Sequence, residues 1–289
     1  MHEVEAKGIL SANNNMNIYR GCSHGCIYCD ARSKCYEFNH EFEDIEVKTN
    51  VVSLLEKKLI SKRKKCMIMT GAMSDPYIHL EEKLGNTRAC LELIEKYGFG
   101  VSILTKSNRI LRDMDILKKI NEKSKCVIQM TLTTYDDNLC RIIEPNVSST
   151  KERFEVLMCA YENNIPTVVW LTPILPFIND SEKNLRGILN YCIEAKVKGI
   201  VVFDMGVTLR EGNREYYYGQ LDKYFPKLRS VYEKKYTNRY IVSSPNAKYL
   251  MNIFVSECRK HNIECDVNKV FAYLSEFPEE KGEEQLMLF

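Results

Sequence analysis

The chain has 289 residues, 45% of them hydrophobic and 28% charged, which suits one large domain or two small ones with a sizeable core and excludes a disordered polymer. Forty-one Lys and Arg against 39 Asp and Glu leave a formal charge of +2, so no strong global field draws the chain to nucleic acid or anionic lipid, and any nucleic-acid contact must be local. The longest nearly apolar stretch, Val168 to Ile178, holds Thr172 and two prolines and is too short to span a bilayer. The opening MHEVEAKGIL has neither the basic end nor the apolar core of a signal peptide. A cytoplasmic chain without a membrane partner is expected, and its twelve cysteines then do not read as a disulfide framework.

In chain order, a short strand at Asn17 to Tyr19 leads into the loop GCSHGCIYCDAR. Lys57 to Lys65 holds six cations in nine residues; it could meet a phosphate backbone, but the end of a helix before the second strand accounts for it, since cations favour that end. β-branched or apolar runs at Cys66 to Thr70, Val101 to Thr105, Cys126 to Thr133, Thr167 to Thr172 and Ile200 to Phe203 then alternate with amphipathic, Lys- and Glu-rich stretches. A last strand at Tyr240 to Ser243 brings the count to six or seven βα units. The fold class expected is α/β, a partial (β/α)6 TIM-like barrel with parallel strands. Reacting groups in such barrels lie after the C-terminal strand ends, where this chain is polar: Ser74-Asp75, Lys106-Ser107, Thr133-Thr134 and Asp204.

Beyond the sixth strand, Tyr216-Tyr217-Tyr218 with Arg210 and Arg214 could stack unpaired bases or simply pack. Cys258, His261 and Cys265 have the look of metal ligands, but two turns of an amphipathic helix ending at Asn262 explain them with less. Residues 1–274 form the expected partial-barrel domain and 275–289 an acidic linker with a terminal peptide.

Cys22, Cys26 and Cys29 have the spacing Cys-x3-Cys-x2-Cys, and Gly21 and Gly25 let the backbone wrap around a shared metal centre. Three ligands for a cubane of four irons leave one iron open. That iron can bind the amino and carboxylate groups of S-adenosylmethionine and pass an electron to its sulfonium, releasing a 5′-deoxyadenosyl radical. The alternatives are a zinc site with His24 as fourth ligand, or three buried thiols; zinc ligands normally pair on two knuckles, and no second Cys-x2-Cys exists.

The triplet, with aromatic Tyr28 before its third cysteine, resembles the signature of the radical S-adenosylmethionine superfamily. NIYRGCSHGCIYCDAR, GAMSDPY at Gly71 to Tyr77, LTKSNRILRDMDIL at Leu104 to Leu117 and Glu144-Pro145 resemble its spore photoproduct lyase-like branch. The resemblance implies a 4Fe-4S cluster on Cys22, Cys26 and Cys29, with the backbone near Tyr28 beside the adenine of S-adenosylmethionine. It further implies that Ser74 and Asp75 accept from the cofactor's amino group, that Lys106 pairs with its carboxylate, and that Thr131 or Thr133 meets the ribose. Implied partners are a DNA or nucleotide substrate and a reductant such as flavodoxin or ferredoxin. A peptide or small-metabolite substrate keeps the same enzyme class, and a noncatalytic iron-sulfur or zinc protein is the reading from another class.

One departure stands out. Where photoproduct lyases carry a cysteine that returns a hydrogen atom to the product radical, this chain has Ala72. Cys35, Cys140 or a tyrosine would have to stand in, and no residue is assigned to that step. Gln285, Leu286, Leu288 and Phe289 resemble the bacterial sliding-clamp binding peptide, which makes the clamp an expected partner.

Overall fold

The computed structural model describes residues 1–278. Its main sheet has six parallel strands: β1 (Asn15–Met16), β2 (Met67–Thr70), β3 (Gly100–Thr105), β4 (Cys126–Thr131), β5 (Thr167–Trp170) and β6 (Gly199–Val201). Spatial order follows chain order, and helices Val51–Ser61, Asn86–Lys96, Met114–Lys123, Thr150–Glu162 and Glu182–Glu194 fill the connections. All six residues of β4 are buried, as expected of a strand covered on both faces and composed of Cys, Val, Ile and Met with few polar breaks. The register aligns Thr70 with Ile103, Thr105 with Met130 and Thr131 with Trp170, so the C-terminal strand ends finish on one rim. β1 and β6 are not paired with each other among the described residues, and the sheet is consistent with a partial (β/α) barrel.

Helix starts follow their local chemistry. Ser149 opens Thr150–Glu162 with a capping box, its hydroxyl accepting from the Glu152 amide at 3.2 Å while a Glu152 carboxylate oxygen accepts from the Ser149 amide at 2.7 Å. Such a cap contributes about 1 kcal/mol to holding the helix end.

Two expected strands are placed differently. The Asn17 to Tyr19 run does not enter the main sheet: Asn15–Met16 does, while Tyr19–Arg20 joins Glu46–Lys48 antiparallel in a separate three-stranded sheet completed by His2–Val4. Ile241–Ser243 is no barrel strand either, pairing antiparallel with Gly206–Thr208. Alternation marks both as strands but carries no information on the partner.

Other surface features resolve into packing. Lys57 and Lys58 lie on helix Val51–Ser61, and the later cations fall in the connection to β2, where Lys62 Nζ donates to Asn14 Oδ1 at 2.7 Å and Lys65 Nζ sits 4.5 Å from the Phe99 ring centroid. Tyr217 and Tyr218 are buried in helix Asn213–Tyr224, the Tyr217 and Tyr232 hydroxyls 3.0 Å apart. Cys258 is buried in Ala247–Lys260, and His261 Nε2 faces Glu257 at 3.7 Å. No helix among the described residues is long and apolar enough to cross a membrane. Gln285 to Phe289 lies outside the described residues.

Candidate functional site

The loop after Tyr19–Arg20 begins at Gly21, whose φ of +87° belongs to the left-handed region and whose missing Cβ would strike the Phe42 carbonyl. That carbonyl accepts from the Cys22 amide at 3.2 Å. Farther on, Ile27 N donates to Ile143 O at 3.0 Å and Asn146 N to His24 O at 3.1 Å, fixing the loop against the segment that follows helix Asp137–Ile143.

Cys22, Cys26 and Cys29 line one wall of a cavity of about 390 Å³ at the C-terminal rim of the sheet. Burial pushes the Cys22 thiol up to about 12, aided by the neighbouring Asp75, and raises Cys26 and Cys29 as well. Uncompensated, these thiols stay protonated, whereas a bound metal centre takes them as thiolates.

The facing walls come from successive strand ends: Ala72, Ser74 and Asp75 after β2, Lys106 after β3, Thr131 closing β4, Trp170 closing β5, and Phe203 and Asp204 after β6. Ser74 Oγ donates to Gly21 O at 2.5 Å, tying the β2 loop to the cysteine loop. Asp75 Oδ1 accepts from the Thr105 hydroxyl at 2.7 Å and the Tyr77 amide at 2.8 Å, and Oδ2 accepts from the Lys106 amide at 2.8 Å. His24 Nδ1 lies 3.4 Å from Asp75 Oδ2, while His24 Nε2 is buried with no partner among the described residues. Burial lowers the His24 pKa, which leaves a neutral ring with one free nitrogen beside the cysteines.

Lys106 is half-buried on the facing wall. Its ammonium makes no hydrogen bond or ion pair among the described residues, although it lies 5.8 Å from the Tyr28 ring centroid. Burial opposes its charge, but Cys26 and Cys29 as thiolates, together with Glu144 and Asp75, outweigh burial and hold its pKa above the ordinary value. A retained cation in a cavity without an anionic contact suits a carboxylate ligand.

Thr133 is not with the others. It is fully buried outside the cavity lining, and its carbonyl accepts from Asn179 at 2.7 Å and Asn184 at 3.1 Å; β4 ends two residues earlier, so of the two threonines Thr131 faces the cavity. Cys35 is exposed beside Arg210, and Cys140 is buried with its sulfur 2.9 Å from Arg153 Nη2. Neither lines the cavity, whereas Ala72, Tyr28 and Tyr36 do.

A buried network under the cysteine loop is not evident from the sequence. The Tyr28 hydroxyl donates to Glu144, whose other oxygen accepts from Arg153 Nη2 at 2.6 Å; Arg153 Nη1 donates to Thr131 O at 2.7 Å. Both charged groups are inaccessible to solvent. Burial alone would raise the Glu144 carboxyl, yet Arg153 and Lys106 hold it below its ordinary value. The available signal was Glu144-Pro145; Arg153, inside a Lys- and Glu-rich helix, reads as a surface residue.

A parallel sheet whose strand ends face a three-cysteine loop defines a radical S-adenosylmethionine domain. The radical SAM superfamily model matches residues 16–187, more than half of the chain, and the chain belongs to that superfamily. Membership implies use of S-adenosylmethionine and an iron-sulfur centre in general. An uncharacterized protein of Methanocaldococcus jannaschii is 36% identical over 176 residues, which make up 60% of this chain and 65% of that one. An uncharacterized protein of Mycobacterium tuberculosis is 28% identical over 256 residues, 81% of this chain and 73% of its own. The chain therefore spans just under two thirds of the archaeal relative's length. Among solved structures, spore photoproduct lyase complexed with dinucleoside spore photoproduct superimposes with a TM-score of 0.61 at 14% identity, covering 86% of this chain and 74% of that one. At that identity the likeness is one of fold.

Proposed function

We propose that this chain is a radical S-adenosylmethionine enzyme in which Cys22, Cys26 and Cys29 hold a 4Fe-4S cluster, acting on a nucleic-acid lesion or a nucleotide. The observation that carries the reading is a single cavity with three cysteines on one wall, Cys26 buried and Cys22 and Cys29 half-buried, and on another the Lys106 ammonium without a hydrogen-bond or ion-pair partner among the described residues. When bound, the cluster supplies the electron that reductively cleaves S-adenosylmethionine. Lys106 takes the cofactor's carboxylate through a charge-assisted hydrogen bond. Ser74 Oγ, already donating to Gly21 O, keeps its lone pairs for an ammonium. Asp75 has both oxygens engaged by the β2 and β3 loops, so it positions these loops and adds negative charge near the cofactor's amino group. Thr131, on the lining, takes the ribose contact.

The substrate class is supported by the cavity mouth. Phe203 is 60% exposed on the cavity lining, its ring centroid 5.9 Å from that of the half-buried Trp170, and Ile241 lines the same cavity; an exposed aromatic ring at a cavity rim suits stacking of a splayed base. Anaerobic reconstitution followed by an assay for 5′-deoxyadenosine, with and without ultraviolet-damaged DNA, tests both parts. Cofactor cleavage stimulated by the damaged DNA is expected. Cleavage that ignores DNA but responds to peptides or metabolites overturns the substrate class, and absence of cleavage overturns the enzyme.

A further inference from the structure

Outside the cavity, two imidazoles and a carboxylate converge where the small N-terminal sheet meets the segment backing the cysteine loop. His2 lies on a strand whose register pairs it with Glu46, while His40 and Asp44 flank the turn that precedes Glu46. The ligand atoms of His2, His40 and Asp44 all lie within 4.8 Å of one another. His2 Nδ1 is 2.9 Å from Asp44 Oδ2, and the His2 and His40 ring centroids are 4.8 Å apart; the other Asp44 oxygen meets the Met1 amino group at 2.8 Å.

The tautomer of His40 is the informative detail. Its Nδ1 lies 2.9 Å from the Glu41 carbonyl oxygen, which can only accept, so Nδ1 carries a proton, and in the neutral ring Nε2 then holds the lone pair. Nε2 is buried and has no hydrogen-bond partner among the described residues; the closest acid, Glu46 Oε2, stands 3.8 Å away. An imidazole fixed by a backbone carbonyl at one nitrogen and bare at the other is the arrangement found at metal-ligating histidines. Two imidazoles with carboxylate oxygens suit a borderline divalent transition ion more than calcium or magnesium, which take oxygen alone.

We propose that His2, His40 and Asp44 bind a divalent ion of the zinc type, with Glu46 as a fourth ligand. The ion would join the first strand to the turn carrying Phe42, whose carbonyl holds the Cys22 amide. Its role is to set the stiffness of the cysteine loop from behind, not to take part in the cavity chemistry.

The test uses cluster-loaded protein equilibrated anaerobically with Zn²⁺, dialysed, and analysed for zinc and iron. Wild type should retain about one zinc per chain with nitrogen and oxygen ligands by X-ray absorption. His40→Ala and Asp44→Asn should each lose that zinc with iron unchanged, and zinc should raise the melting temperature of wild type only. Amide exchange at Cys22 should slow when zinc is added. Sulfur ligation of the zinc in wild type, zinc content equal in wild type and both variants, or zinc lost in wild type on dialysis overturns the proposal. Because the wild-type spectrum alone can contradict it, the outcome does not depend on the variants folding, and none of these readouts depends on cofactor cleavage.

Discussion

Lys106 illustrates how one residue acquires a function from its surroundings. A lysine after a strand is ordinarily solvated, but here its ammonium enters a cavity shared with three cysteines and retains its charge against burial. Lys106→Met should leave iron content intact and weaken S-adenosylmethionine binding by about tenfold to hundredfold, the loss of a charge-assisted contact of about 1.5 to 3 kcal/mol; equilibrium binding to reconstituted protein measures it, and unchanged affinity would return Lys106 to a solvated role. Ala72 is as informative by what it lacks. A methyl group on the cavity lining cannot donate a hydrogen atom readily, and neither Cys35 nor Cys140 reaches that lining. Wild type should therefore cleave cofactor on a dinucleotide spore photoproduct without clean thymine recovery, and Ala72→Cys should raise that recovery. Product analysis by mass spectrometry decides, and efficient repair by wild type would show another donor at work. Beneath the loop, Arg153→Met strands the Glu144 charge without its ion partner and should cost about 3 to 5 kcal/mol. Thermal unfolding should show part of that loss restored in the Arg153→Met, Glu144→Gln double variant, since removing both charges removes the burial penalty.

Strands and their ends carry the site. Strand positions β2 to β6 were legible because fully buried parallel strands are short β-branched runs, and the polar residues after them sit on the C-terminal rim. Ser74, Asp75 and Lys106 follow from that rule. Thr133 does not, because β4 ends at Thr131 and the chain turns inward before Thr133, where asparagine side chains take its carbonyl. Partner choice was illegible for Tyr19–Arg20 and Ile241–Ser243: a pattern of period two specifies a face but not a neighbour. A buried ion pair between a helix and the end of the helix before it, such as Arg153 with Glu144, leaves no periodic trace at all. The β2 loop supplies a test at this scale. Gly71 has φ of +100°, and a Cβ there would collide with the Leu104 backbone. Gly71→Ala should lower the melting temperature and displace the Ala72–Asp75 wall, reducing cofactor affinity more than iron content.

The whole molecule places a cavity at the C-terminal rim of its sheet, and its sequence ends in a peptide of a different character. Leu286, Leu288 and Phe289 offer apolar side chains for a partner's groove and Gln285 an amide for its edge, and we propose a sliding clamp as their partner. Removing Gln285 to Phe289 should abolish binding to the organism's own clamp and leave melting temperature and cofactor cleavage unchanged. A truncated protein that melts several degrees lower, paired with intact protein that never binds clamp, would make the peptide part of the fold instead.

The central claim is that Cys22, Cys26 and Cys29 together hold a cluster able to cleave S-adenosylmethionine, and its most direct measurement is iron content and 5′-deoxyadenosine formation in anaerobically reconstituted wild type and Cys26→Ala. Wild type should carry about four irons and release 5′-deoxyadenosine on reduction, while Cys26→Ala loses both. Full cofactor cleavage by Cys26→Ala, or wild type that binds one zinc and no iron, would contradict the account.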